Sequence, residues 1–176
     1  MKLNRIAGAV LAVSLAALGA CDRDGGAGGK VVKTGYPDCR SDDLALKLVS
    51  EDAKTSSATY RFENRSRHIC TLKGFARVTL VGADGRPLEA KVTTVDPTAN
   101  LDTGVKRRPA KVVLRPQRRA DFSVGFPAAK GECRTFVKIT ATPPASDWGL
   151  DVAQTGKLCG DEITVTTFWY DSSETL

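Results

Sequence analysis

Few residues of this chain have types and spacings that suit chemistry. Its 176 residues include five cysteines and a single histidine. His68 stands two residues after Ser66 and two before Cys70, so a base beside a nucleophile is the first arrangement to weigh. A base activates a hydroxyl or thiol only within hydrogen-bond reach. Ser66 falls in an expected turn, and Cys70 is expected to be oxidised. His68 therefore reads as a lone surface histidine. The acid pairs Asp42-Asp43 and Glu51-Asp52 are adjacent in sequence. Neighbouring strand residues point to opposite faces, so neither pair reads as a catalytic dyad. No C-x-x-C is present, and zinc sites favour tight paired spacing. No P-loop, dinucleotide glycine motif, HExxH or GxSxG occurs either. The expectation is no catalytic residue, no metal and no cofactor.

An odd number of cysteines leaves one thiol over if the rest pair. Cys21 is the odd one. It closes a leader in which Lys2 and Arg5 precede an apolar run from Ile6 to Leu18. That run is short of the about 20 apolar residues a membrane span needs, and it reads as a secretory signal. Leu18-Gly19-Ala20-Cys21 resembles a bacterial lipobox, where the thiol receives a diacylglyceryl group and the leader is cut before the cysteine. Two or more acyl chains give stable anchoring where one gives only marginal binding.

Asp22 to Lys30 reads DRDGGAGGK, a glycine-rich tether without periodicity. Such a stretch spans about 15–18 Å. The expected organisation is a signal over 1–20, the lipid-bearing linker over 21–35, a folded domain over 36–170 and a disordered tail over 171–176. The formal charge of the chain is +6. Removing residues 1–20 takes away Lys2 and Arg5 and no acid, which leaves +4 from 24 basic and 20 acidic residues. That balance suits anionic surfaces and is too weak to argue for nucleic acid.

From Leu44 onward the apolar period is two. Ala58, Tyr60 and Phe62 share one face, as do Ala120, Phe122 and Val124, and as do Ile163 and Val165. The same rule puts Thr135, Val137 and Ile139 on one face. Strict alternation marks strands with one face on a core. Asp84-Gly85 reads as a hairpin turn between Val78–Val81 and a strand from Leu88 to Val95. Pro143-Pro144 ends another strand, and Gly160-Asp161 opens the last. About seven to nine short strands with regular turns argue for an all-β, two-sheet antiparallel sandwich of the immunoglobulin-like kind. The longest loop is Val95 to Pro109.

The other four cysteines, in an exported chain, should pair. Spacing alone does not choose among their three connectivities. Pairing sequence neighbours, Cys39–Cys70 and Cys133–Cys159, ties an irregular segment to a strand in each case and is the expected arrangement.

The stretch from Asn64 to Gly74 (NRSRHICTLKG) matches N-x-S-x-x-x-C-x-L-x-G. It resembles a pattern in an uncharacterised family of small secreted or lipid-anchored bacterial proteins, known as a domain of unknown function. The resemblance continues through a turn like Asp84 to Pro87, the leucine-proline turn Leu114-Arg115-Pro116, the cysteine strand from Cys133 to Pro144, and Cys159-Gly160 through Phe168. Ala76 departs from it where proline is common, and Gln117 where glycine is common. The resemblance implies the sandwich and the four-cysteine framework. It implies no activity, and a fold alone licenses none.

Two surface features remain. Lys106, Arg107, Arg108, Lys111, Arg115, Arg118 and Arg119 lie within one loop, strand and turn. They suit anionic headgroups, an acidic envelope protein or an anionic polymer; the plainer reading is charge that guards an edge strand. Trp148, Trp169 and Tyr170 are candidates for a sugar platform, with Trp169 better placed for core packing. The expected protein is anchored to a membrane through Cys21 and faces the periplasm or cell exterior. It is expected to act as a non-catalytic binding or accessory module, with a hydrolase using His68 or surface carboxylates as the alternative.

Overall fold

In the computed structural model, residues 35–96, 111–127 and 132–170 are described. Alternating apolar residues build eleven strands among them: β1 (Leu44–Asp52), β2 (Ser57–Asn64), β3 (Cys70–Lys73), β4 (Arg77–Gly82), β5 (Pro87–Leu88), β6 (Lys91–Val95), β7 (Lys111–Leu114), β8 (Arg119–Gly125), β9 (Cys133–Thr142), β10 (Leu150–Cys159) and β11 (Glu162–Thr166). One sheet has the order β1-β2-β8-β11-β6, and a second has β10-β9-β4-β5. The β3 and β7 strands pair separately. The inner faces of the two main sheets share one core. Tyr60, Phe62, Phe122, Ile163 and Val165 enter it from the first sheet, and Leu80, Phe136, Ile139 and Leu158 from the second. This is the two-sheet, immunoglobulin-like sandwich, and not a closed barrel.

Aromatic packing knits the first sheet. The Phe122 ring lies 5.5 Å from Tyr60, 5.3 Å from Phe62 and 5.7 Å from Phe168, centroid to centroid. Each such pair adds about 0.5–1.5 kcal/mol beyond the area it buries. On the opposite face of the same strands, Arg61 and Asp121 stand directly across from each other. The guanidinium donates two bonds to the carboxylate, at 2.7 and 2.8 Å. The fork geometry fixes register as well as adding energy.

Both disulfides join sequence neighbours. Cys39–Cys70 fastens the segment before β1 to β3, and Cys133–Cys159 closes the directly opposed ends of β9 and β10. The loop lengths suit about 3–4 kcal/mol each on the chain-entropy account.

Three details differ from the pattern in the sequence. The expected strand from Leu88 to Val95 is two: β5 pairs with β4 in the second sheet, and β6 crosses to the first. There β6 runs parallel to β11, the one parallel strand pair in the two main sheets. Within β9, Phe136 rather than Thr135 and Val137 turns inward. The register of β9 skips Val137 against β4 and sets it against two residues of β10, so the side-chain parity reverses there. A bulge of this kind is how a strand re-aims its side chains.

Candidate functional site

One end of the sandwich, where β1 ends and β2 begins, holds a cleft of about 630 Å³. That falls within the usual range for small-ligand sites, about 300–1,000 Å³. Ala58, Phe126, Phe136 and Gly156 make its apolar walls. Phe126 stacks on the buried Phe136 with centroids 5.3 Å apart. Gly156 is what lets the Phe136 ring lie there: a Cβ at that position would fall 2.3 Å from Phe136 Cζ.

A chain of polar groups runs from the core to the mouth of the cleft. The fully buried Tyr60 hydroxyl donates to Gln154 Oε1, and Gln154 Nε2 donates to Glu51 Oε1. Gln154 is itself 9% exposed. Its amide retains one donor hydrogen and one acceptor lone pair beyond those two bonds. Burial pushes the Tyr60 phenol well above its ordinary pKa, and the nearby Glu51 charge adds to this. At the mouth, Asp52 Oδ1 accepts the Lys54 N–H at 2.8 Å. The Thr55 side chain first, then the Lys54 amide, holds the Asp52 carboxyl below the usual range. Lys157 lines the cleft as well.

The conspicuous N-x-S-x-x-x-C-x-L-x-G stretch is built for structure. The buried Asn64 carboxamide accepts the N–H and the hydroxyl of Ser66, at 2.9 and 2.7 Å. It donates to the carbonyls of His68 and Leu114, at 2.9 and 3.0 Å. Cys70 is in its disulfide, Leu72 is in the core, and Gly74 has φ 100°, which glycine adopts without strain. His68 is exposed, with Nε2 3.2 Å from Asp43 Oδ1. The Ser66 hydroxyl engages Asn64 and the His68 carbonyl instead of the imidazole. His68, Ser66 and Cys70 are therefore not assembled as base and nucleophile.

The basic residues are only partly gathered. Cys21, Lys106, Arg107 and Arg108 lie outside the described residues, as does most of the Val95–Pro109 loop. Lys111 sits at the start of β7, across from Lys73. Arg115 and Arg118 are exposed in the turn at the other end of that strand. Arg118 and Arg119 line a shallow polar depression with Arg65, but Glu63 lines it too. Glu63 binds Lys47 at 2.8 Å and Arg65 at 3.3 Å. The Lys47 hydrogen bond chiefly keeps its carboxyl below the usual range against the opposing effect of burial, and the charges of Arg65, Lys47 and Arg119 add to the lowering. A resident anion thus tempers the positive field of this end.

The aromatic candidates separate in the same way. Trp148 is 52% exposed in the loop between β9 and β10, whereas Trp169 packs against the core and pairs its backbone with Asp121 of β8. The Tyr170 hydroxyl is bound by the Val113 backbone. Among the described residues, no three His, Cys, Asp or Glu side chains gather as a metal site.

These features define a disulfide-stapled β-sandwich with a lined cleft at one end. The model of the family called Domain of unknown function (DUF4232) matches residues 39–169, and the chain belongs to that family. No curated protein and no solved structure matches it.

Proposed function

We propose that this chain is a lipid-anchored protein of the bacterial cell envelope that works as a non-catalytic binding or accessory module. The observation that carries this reading is the cysteine arithmetic. Four cysteines are consumed in two disulfides, which belong to oxidising compartments, and Cys21 is left over at the end of an export leader. The site geometry supports binding over bond cleavage. The cleft presents the partly buried Phe126 ring, a held amide and carboxylates, while His68 is an exposed turn residue paired with Asp43. The basic residues Lys106, Arg107, Arg108, Lys111, Arg115, Arg118 and Arg119 are the surface proposed to meet anionic material close to the membrane.

The test is fractionation and intact mass of the native protein and of Cys21→Ser. A chain starting at Cys21 with a diacyl or triacyl mass is expected from membranes, and the variant is expected in the soluble fraction. A variant that still sediments with membranes, or an unlipidated native chain, overturns the anchor.

A further inference from the structure

We propose that the cleft between β1, β2, β8, β9 and β10 binds an organic amine, a cation carried on an aromatic or other apolar body. The proposal deepens the reading of the domain as a binding module and does not depend on lipidation. The body of such a ligand has a place. Phe126 and Pro127 offer apolar surface, the buried Ala58 and Phe136 back it, and Gly156 keeps the wall flat beside the Phe136 ring. Burying a bare apolar wall against a ligand is the main source of affinity at sites of this size.

The charged end also has a place. Glu51 and Asp52 stand at the mouth against one lysine, Lys157, so the lining is net negative on a chain whose formal charge is positive. Asp52 is kept ionised by the turn that follows it. Glu51 is drawn toward the interior by Gln154 rather than left to sweep solvent. Gln154 is itself immobilised by the buried Tyr60. A carboxylate oriented by a second residue, which is oriented by a third, has already lost most of its freedom before a ligand arrives. That pre-organisation lowers the cost of binding. An ammonium group supplies only donors, which matches the acceptor carboxylate of Glu51, and the Asp52 charge lies in the same lining. The partly buried Phe126 ring, which lines the cleft, also favours a cation over an anion.

The experiment uses the mature chain carrying Cys21→Ser, which keeps lipid out of the measurement. Three fluorescent probes of one shape are titrated: naphthylethylamine, its neutral counterpart naphthylethanol, and anionic naphthylacetate. The amine is expected to bind at least about fivefold more tightly than the alcohol, and naphthylacetate more weakly than either. Glu51→Gln is expected to bring amine and alcohol within about twofold of each other while the melting temperature stays unchanged. Ala53→Trp, at an exposed position on the rim, is expected to weaken all three probes by closing the mouth. Equal or stronger binding of the alcohol or naphthylacetate overturns the proposal. So does binding that both variants leave unchanged, or no binding of any probe. Either failure leaves the membrane anchor untouched, whereas loss of the anchor with amine binding intact would overturn only the envelope reading.

Discussion

Phe136 lies over the bare Cα of Gly156 on the neighbouring strand. A Cβ there would meet Phe136 Cζ at 2.3 Å, Cε1 at 2.7 Å and Cε2 at 3.0 Å. The ring has little room to yield, because it is 1% exposed and stacked on Phe126. The pair closes one wall of the cleft, and the glycine is a packing requirement of that wall.

Gly156→Ala is therefore expected to destabilise the domain by about 1–3 kcal/mol, the usual cost of forcing extra volume into a packed site. Urea unfolding measures it. Phe136→Leu in the same chain should recover part of the loss, because the two residues are in contact and their effects do not add. A cost below about 0.5 kcal/mol, or strict additivity of the two changes, would show that the ring does not rest on the glycine.

The resemblance read from the sequence places glycine where this chain has Gln117, and the backbone conformation there is one that suits glycine. Gln117 has φ 66°, in the left-handed region. Its N–H donates to the Asn64 carbonyl at 2.8 Å, so the turn is held in that conformation by β2. A non-glycine residue there costs about 1–2 kcal/mol in backbone strain. Gln117→Gly relieves the strain but frees the unfolded chain as well, which offsets part of the gain. The expected net effect is stabilisation by about 0.5–1 kcal/mol, read as a higher urea midpoint with an unchanged slope. A lower midpoint would mean that the glutamine side chain contributes more than the strain it brings.

Much of the fold was legible because one face of most strands is buried and the other is wet. Ala58, Tyr60 and Phe62 are all inward, as are Ala120, Phe122 and Val124. The odd cysteine count anticipated two pairs plus a remainder, and the pairs are those of sequence neighbours. The inward turn of Phe136 was not legible. It depends on how β9 registers with β4 and β10, and a period-two pattern carries no record of a bulge. The parallel pairing of β6 with β11 was hidden for a similar reason, since neither strand names its neighbour. The cleft was the least legible part. Glu51 and Gln154 are 103 residues apart and meet only because β1 and β10 end up side by side. A polar Gln154 between alternating strand residues was the one local sign, and such residues are common on outward faces. The residues that drew attention by type, His68 and Ser66, turned out to shape a turn.

The Tyr60–Gln154–Glu51 chain also makes a prediction about alkaline stability. Tyr60 is fully buried, and burial above all holds its phenol protonated well beyond the ordinary tyrosine range, with the Glu51 charge adding to the effect. In the unfolded chain Tyr60 ionises near its ordinary value of about 10. Below that pH both states hold the proton, so the stability tied to it is fully present. Above it the unfolded chain loses the proton while the folded chain keeps it, and stability falls with pH. The slope from this one group approaches about 1.4 kcal/mol per pH unit. Tyr60→Phe removes that slope. It also strands one Gln154 acceptor, at a cost of about 1 kcal/mol near neutral pH. Urea midpoints of the two chains, followed from about pH 8 to about pH 11, are therefore expected to converge or cross as the phenol of the unfolded wild-type chain titrates. Curves that run parallel across that range would mean that Tyr60 ionises in the folded protein as readily as in the unfolded one, and that the polar chain behind the cleft is open to water.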